Sequence, residues 1–199
     1  MANRNSAGFG LRPAGTLGNT PATHGLSQYW IDAGATVDLF HGMAMKSSGG
    51  YMITGESATT VTTIGVLQGI FYNAATTLKP TWASWYDATI TPANSEDTQA
   101  FVNDYPFQKY TIAADALVAS SVPAAHVLFM ETYSVYANTG GNTTTGNSTT
   151  TLDIGATHAT THSWRLLRSA EDPENNDLTA AFCTLEVVQN LSEFVGTGT

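Results

Sequence analysis

Residues 61–72, VTTIGVLQGIFY, limit the fold of this chain more than any other stretch. Their dense β-branched and aromatic content predicts a central strand. In extended backbone Ile64, Val66 and Ile70 point to one face, and Leu67 and Phe71 to the other. Neither face is polar enough for water, so both must be covered. Gly65 and Gly69 share the face of Leu67, and glycines inside such a pattern mark a bulge, a coil or a close backbone approach. A strand bent there can serve two sheets.

The rest of the chain repeats the theme in shorter pieces. Charged residues make up only 12% of the 199, about half the usual share. Thr, Ser, Gly and Ala take their place and favour strands and turns. From Tyr29 onward, turn signals recur at the spacing of a sandwich or barrel. Strands are predicted over 28–31, 37–40, 43–47, 51–54, 98–102, 109–112, 164–167 and 182–188, the last two as a closing pair. The run 125–136, AHVLFMETYSVY, predicts a second central strand, and 113–120 a short helix. Residues 138–151, NTGGNTTTGNSTTT, predict a mobile loop too polar to pack. The expected class is all-β: a barrel, β-tulip-like or sandwich core with an extended N-terminal arm and at most one or two short helices. The arm spans 1–28, the β-rich domain 29–194, as one unit or as two lobes parting near 113–124, and a patternless tail 195–199.

Electrostatics narrow the function. A net charge of −9 with seven Lys and Arg lacks the basic footprint that phosphate binding needs, so no nucleic-acid partner is expected. No apolar run approaches a membrane span, and MANRNSAGFG has no apolar signal-peptide core. The expectation is a soluble chain, not exported by a signal peptide. Its single Cys183 reads as a small buried hydrophobe of a reducing cytosol.

No motif completes a catalytic or metal site. Asp32-Ala33-Gly34 and Asp153-Ile154-Gly155 echo the paired turns of aspartic proteases but lack the hydroxyl residue after each Asp. His158 and His162 have the helical spacing of a metal pair within a Thr-rich stretch that argues against helix. Asp172, Glu174 and Asn176 alternate like calcium ligands, yet Pro173 and the missing glycine break that pattern. No enzyme activity, cofactor or metal is expected. Candidate partner-binding residues are Arg4, Phe9, Leu11, Arg12 and Leu17 on an arm too rich in Gly and Pro to fold on itself, together with Trp82 and Trp85. Deleting residues 1–20 is expected on this reading to cost little stability. Trp82, Trp85 and Tyr86 read as core or interface anchors, or as a sugar-stacking platform.

Several stretches, ANRNSAGFGLRPAG, IDAGATVDLFHGMAMKSSGGY leading into IGVLQGIFY, FVNDYPFQKYTI, and WRLLRSAEDPENNDL followed by CTLEVVQNLSEF, resemble the head decoration (cement) and minor structural proteins of tailed bacteriophages, especially marine phages. The resemblance spans most of the chain. It implies a β-rich virion subunit on the capsid exterior that bridges subunits of the major capsid protein, made in the host bacterial cytoplasm. It also implies homo-oligomers, trimers in many members. The alternative is a tail or fibre component with a carbohydrate-binding face built on Trp82 and Trp85.

Overall fold

The computed structural model describes residues 3–18, 25–55 and 62–195. In chain order its strands begin with β1 (Arg12–Thr16), β2 (Ser27–Ile31), β3 (Ala44–Ser48), β4 (Tyr51–Thr54), β5 (Gly65–Asn73), β6 (Pro80–Ala83) and β7 (Thr98–Asn103). They continue with β8 (Gln108–Ala113), a helix α1 (Val122–Val127), β9 (Thr132–Tyr133), β10 (Val135–Tyr136), β11 (Thr151–Leu152), β12 (Trp164–Ser169) and β13 (Thr184–Gln189). The chain is all-β, with one short α-helix among the described residues. One antiparallel sheet runs β1-β8-β13-β12-β9. A second runs β2-β7-β5-β3-β4, with β6 paired to β5 beyond the reach of β3, and β10 and β11 pair as a separate two-stranded sheet. The closing pair β12–β13 forms as expected.

The organising stretch becomes β5, which lies in one sheet but contributes to two cores; Val61 lies outside the described residues. Val66 enters the first core with Leu11, Tyr110, Ile112, Trp164 and Leu185. Leu67 and Ile70 enter the second with Ile31, Leu39, Met45 and Tyr86. Strict alternation would put Leu67 and Ile70 on opposite faces. The register against β7 shifts between Leu67 and Gly69, leaving Gln68 as an extra residue that restores both to one side. Gly65 is a close approach: a Cβ there would collide with the Asn103 carbonyl oxygen of β7. Gly65→Ala is expected to destabilise by about 1–3 kcal/mol, lowering the urea midpoint at constant slope.

The run 125–136 is not a central strand. Ser121 caps α1 by accepting from the Ala124 amide at 3.4 Å, with Pro123 in the first turn. Ala125, Leu128 and Phe129 reach the first core at i, i+3, i+4 spacing. Only the two-residue strands β9 and β10 follow. Residues 114–120 are not helical, because their amides are drawn to distant carbonyls: Ala114 to Cys183 at 2.9 Å, Val118 to Leu178 at 3.0 Å. Residues 37–40 supply only a bridge from Leu39 to Tyr86.

The polar stretch 138–151 packs. Asn138, Ser148 and Thr150 are buried. Asn138 Oδ1 accepts from the Ala44 amide and the Thr150 hydroxyl, both at 3.1 Å. Its Nδ2 donates to the Ala44 carbonyl at 2.9 Å and lies against the Gly55 carbonyl. The Asn side chain thus meets Ala44 as the peptide group of another strand would. Gly141 and Gly146 let the stretch lie against Phe40 and Trp85, where a Cβ at either would strike a ring.

Residues 3–18 are extended but docked on their own chain. β1 is the edge of the first sheet, paired with β8 from Arg12↔Thr111 to Thr16↔Gln108. Leu11 is fully buried, and its amide donates to Gly42 at 2.8 Å. Asn3 donates to the Asp177 and Ala181 carbonyls at 3.0 and 2.9 Å, and the Asn5 amide to Asn175 Oδ1 at 2.7 Å.

Candidate binding surface

The side of the second sheet turned away from its core carries an ordered row of side chains. In β2 and β7, Ile31, Ala100 and Val102 go inward, so Gln28, Trp30, Gln99 and Phe101 take the other face. The Gln68 bulge puts Phe71 on that face as well. Register then aligns Trp30, Gln99, Phe71 and Trp82 across four neighbouring strands, β2, β7, β5 and β6. Trp30 is 45% exposed and Trp82 67%. The Trp82 ring lies 5.0 Å from Phe71 and 4.8 Å from Phe101, and Gly69, opposite Phe101, has no side chain to hold them apart. Tilted ring contacts of this kind hold the rings without burying them.

A cleft of about 690 Å³ opens at the Trp30–Phe71 end of the row. One wall is the two-residue Gly49–Gly50 turn of the β3–β4 hairpin, with φ of +59° and +91°. The opposite wall is the turn at Asn94 and Ser95, whose φ values of +57° and +56° are unusual for residues with a Cβ. Asp97 ties the walls, accepting from the Tyr51 hydroxyl at 3.1 Å and the Ala33 amide at 3.0 Å. The hydrogen bond to Asp97 pushes the Tyr51 hydroxyl above its usual range, so it stays a donor. Asn73 and Gln99 add polar edges, Glu96 accepts from the Asn94 side chain at 3.4 Å, and among the described residues no Lys or Arg lines the cleft.

A separate surface lies around α1. Leu117, Val122, Val127 and Met130 are all exposed, Val127 at 76% and Met130 at 56%.

The residues singled out in the sequence disperse. Arg4 pairs with Glu174 at 2.7 Å. Arg12 lies over the Phe9 ring at 5.0 Å. Leu11 belongs to the core, and Leu17, just past β1, is exposed. Trp82 joins the aromatic row, but Trp85 turns to the second core and stacks on Phe40 at 5.0 Å, so the two do not form one platform. Asp32 accepts from its own Gly34 amide, while Asp153 lies by Ser134 and Ala156, so they are not a dyad. His158 faces Glu131 at 3.2 Å, whereas His162 is buried against the Thr132 carbonyl. Asp172 oxygens hold Glu174, Asn175 and Thr184 within the turn that anchors residues 3–5. Among the described residues no three His, Cys, Asp or Glu side chains group as metal ligands. Cys183 is buried, which pushes its thiol up to about 12.

Trp30, Phe71, Gln99 and Phe101 escaped the sequence reading as surface residues. Their signal was present as alternation: Gln28 and Trp30 flank Tyr29, and Gln99 and Phe101 flank Ala100. Recognising it required knowing that β2, β7, β5 and β6 are neighbours. No family model, curated protein or solved structure matches this chain.

Proposed function

We propose that this chain is a structural subunit on the outside of a tailed-phage capsid, where it bridges neighbouring capsid subunits. The observation that carries the reading is the set of exposed apolar side chains in and beside α1. A chain with so few charges leaves Leu117, Val122, Val127 and Met130 in water in and beside one short helix, and large apolar side chains exposed in such numbers suit contact with another protein. The resemblance to phage decoration proteins names the partner as the major capsid protein and implies homo-oligomers, trimers in many members. Co-sedimentation with empty capsids tests this. The wild-type chain is expected in the pellet. Val127→Asp/Met130→Asp, altering exposed side chains only, is expected to keep its melting temperature and bind at least roughly tenfold more weakly. A wild-type chain left in the supernatant overturns the function; equal pelleting of the variant moves the contact away from α1.

A further inference from the structure

We propose that the cleft at the Trp30–Phe71 end of the aromatic row is a binding site for a neutral oligosaccharide. This goes beyond capsid attachment and uses different residues. A sugar ring presents a flat C–H face, which stacks on an aromatic ring, and an edge of hydroxyls, which pairs with planar amides and carboxylates. Both partners alternate here: Gln99 stands directly between Trp30 and Phe71 in the register. Two strand spacings, roughly 10 Å, separate the two rings, a distance that a disaccharide spans. Asn73, Asn94 and Glu96 supply further hydroxyl partners along the cleft.

Charge selects the class of sugar. Among the described residues the charged groups lining the cleft are Glu96 and Asp97, without a compensating cation, on a chain of net charge −9. Phosphorylated, sialylated and uronate-bearing glycans are repelled from such a site, and neutral ones are not. The walls are pre-shaped by the Gly49–Gly50 turn, the left-handed Asn94 and Ser95, and the Asp97 bonds to Tyr51 and Ala33. Less ordering then opposes binding. A protein partner would be better served by a continuous apolar face than by rings with amides between them and acids at the rim.

The test is an array carrying neutral hexose oligosaccharides beside sialylated and uronate-bearing ones, probed with the full chain, Trp30→Ala and Gln99→Ala. All three are also run in capsid co-sedimentation. The wild type is expected to be retained on neutral glycans, with Trp30→Ala weakened about tenfold and Gln99→Ala weakened in the same direction, both at unchanged melting temperature. Both variants are expected to pellet with capsids to the same extent as the wild type, so failure of one reading leaves the other standing. Three results overturn the inference: no retention on neutral glycans, retention only on acidic ones, or equal retention of Trp30→Ala. Loss of pelleting by Trp30→Ala, without glycan retention by the wild type, would assign the row to the capsid instead.

Discussion

A chain lacking residues 1–18 is expected not to fold. The deletion removes β1 and strips the β8 edge of the first sheet, where Gln108 Nε2 also donates to the Gly15 carbonyl at 2.6 Å. It empties the Leu11 site, and the loss of a buried Leu down to Ala alone costs about 2–5 kcal/mol. It also strips the Asn175 turn of the partners that Asn3 and Asn5 provide. Together these losses rival a total stability of about 5–15 kcal/mol. Far-UV circular dichroism and thermal melting decide the matter; a soluble truncated chain with an unchanged cooperative melt would show that β1 is dispensable. Leu11→Ala gives a graded version, read as a lower urea midpoint.

Asn138→Ala is expected to cost about 3–4 kcal/mol, an unusually large loss for a residue in a Thr- and Gly-rich stretch. The substitution leaves the Ala44 amide and the Gly55 carbonyl without their partner at a buried site, while the Ala44 carbonyl keeps the Gly55 amide and the Thr150 hydroxyl keeps Ser148. Each unpaired group carries its own desolvation cost. Asn138→Asp is expected to be at least as damaging, because it turns a donor toward the Ala44 and Gly55 carbonyls into a buried charge. Urea unfolding of both variants measures this. A loss below about 1 kcal/mol in Asn138→Ala would mean that the network contributes little beyond shape.

What the sequence made legible follows the range of the interactions involved. β5 and the strands at 27–31, 51–54, 98–103 and 108–113 rest on local alternation, which any window of a few residues displays. The helix α1 was also visible, in Ser121, Pro123 and the spacing of Ala125, Leu128 and Phe129, but valines and aromatics in the same run advertised a strand more loudly. Leu11 looked like an anchor for a partner because glycine and proline around it removed every local reason to fold. Its reason is Gly42 and the first core, far along the chain. Asn138 carries no pattern at all, since nothing nearby reveals that one amide among many will meet a strand backbone. The aromatic row lies between these cases: each member obeys strand alternation, yet the row exists only through the register of four strands.

The docking of residues 3–5 on the turn at 172–184 also dictates a timetable. During synthesis this segment emerges long before its partners, since the Asn3 contacts close a separation of 174 to 178 residues. Until then β1 has β8 to pair with but no β13 beyond it, and Leu11 faces a cavity whose far wall, Trp164 and Leu185, has yet to be translated. Closure of the first sheet is therefore a late event, dominated by long-range pairing and slow for that reason. A nascent chain stalled before residue 164 would hold the second core beside a β8 that lacks its β13 neighbour, a species whose exposed edge invites neighbouring ribosomes' products to aggregate.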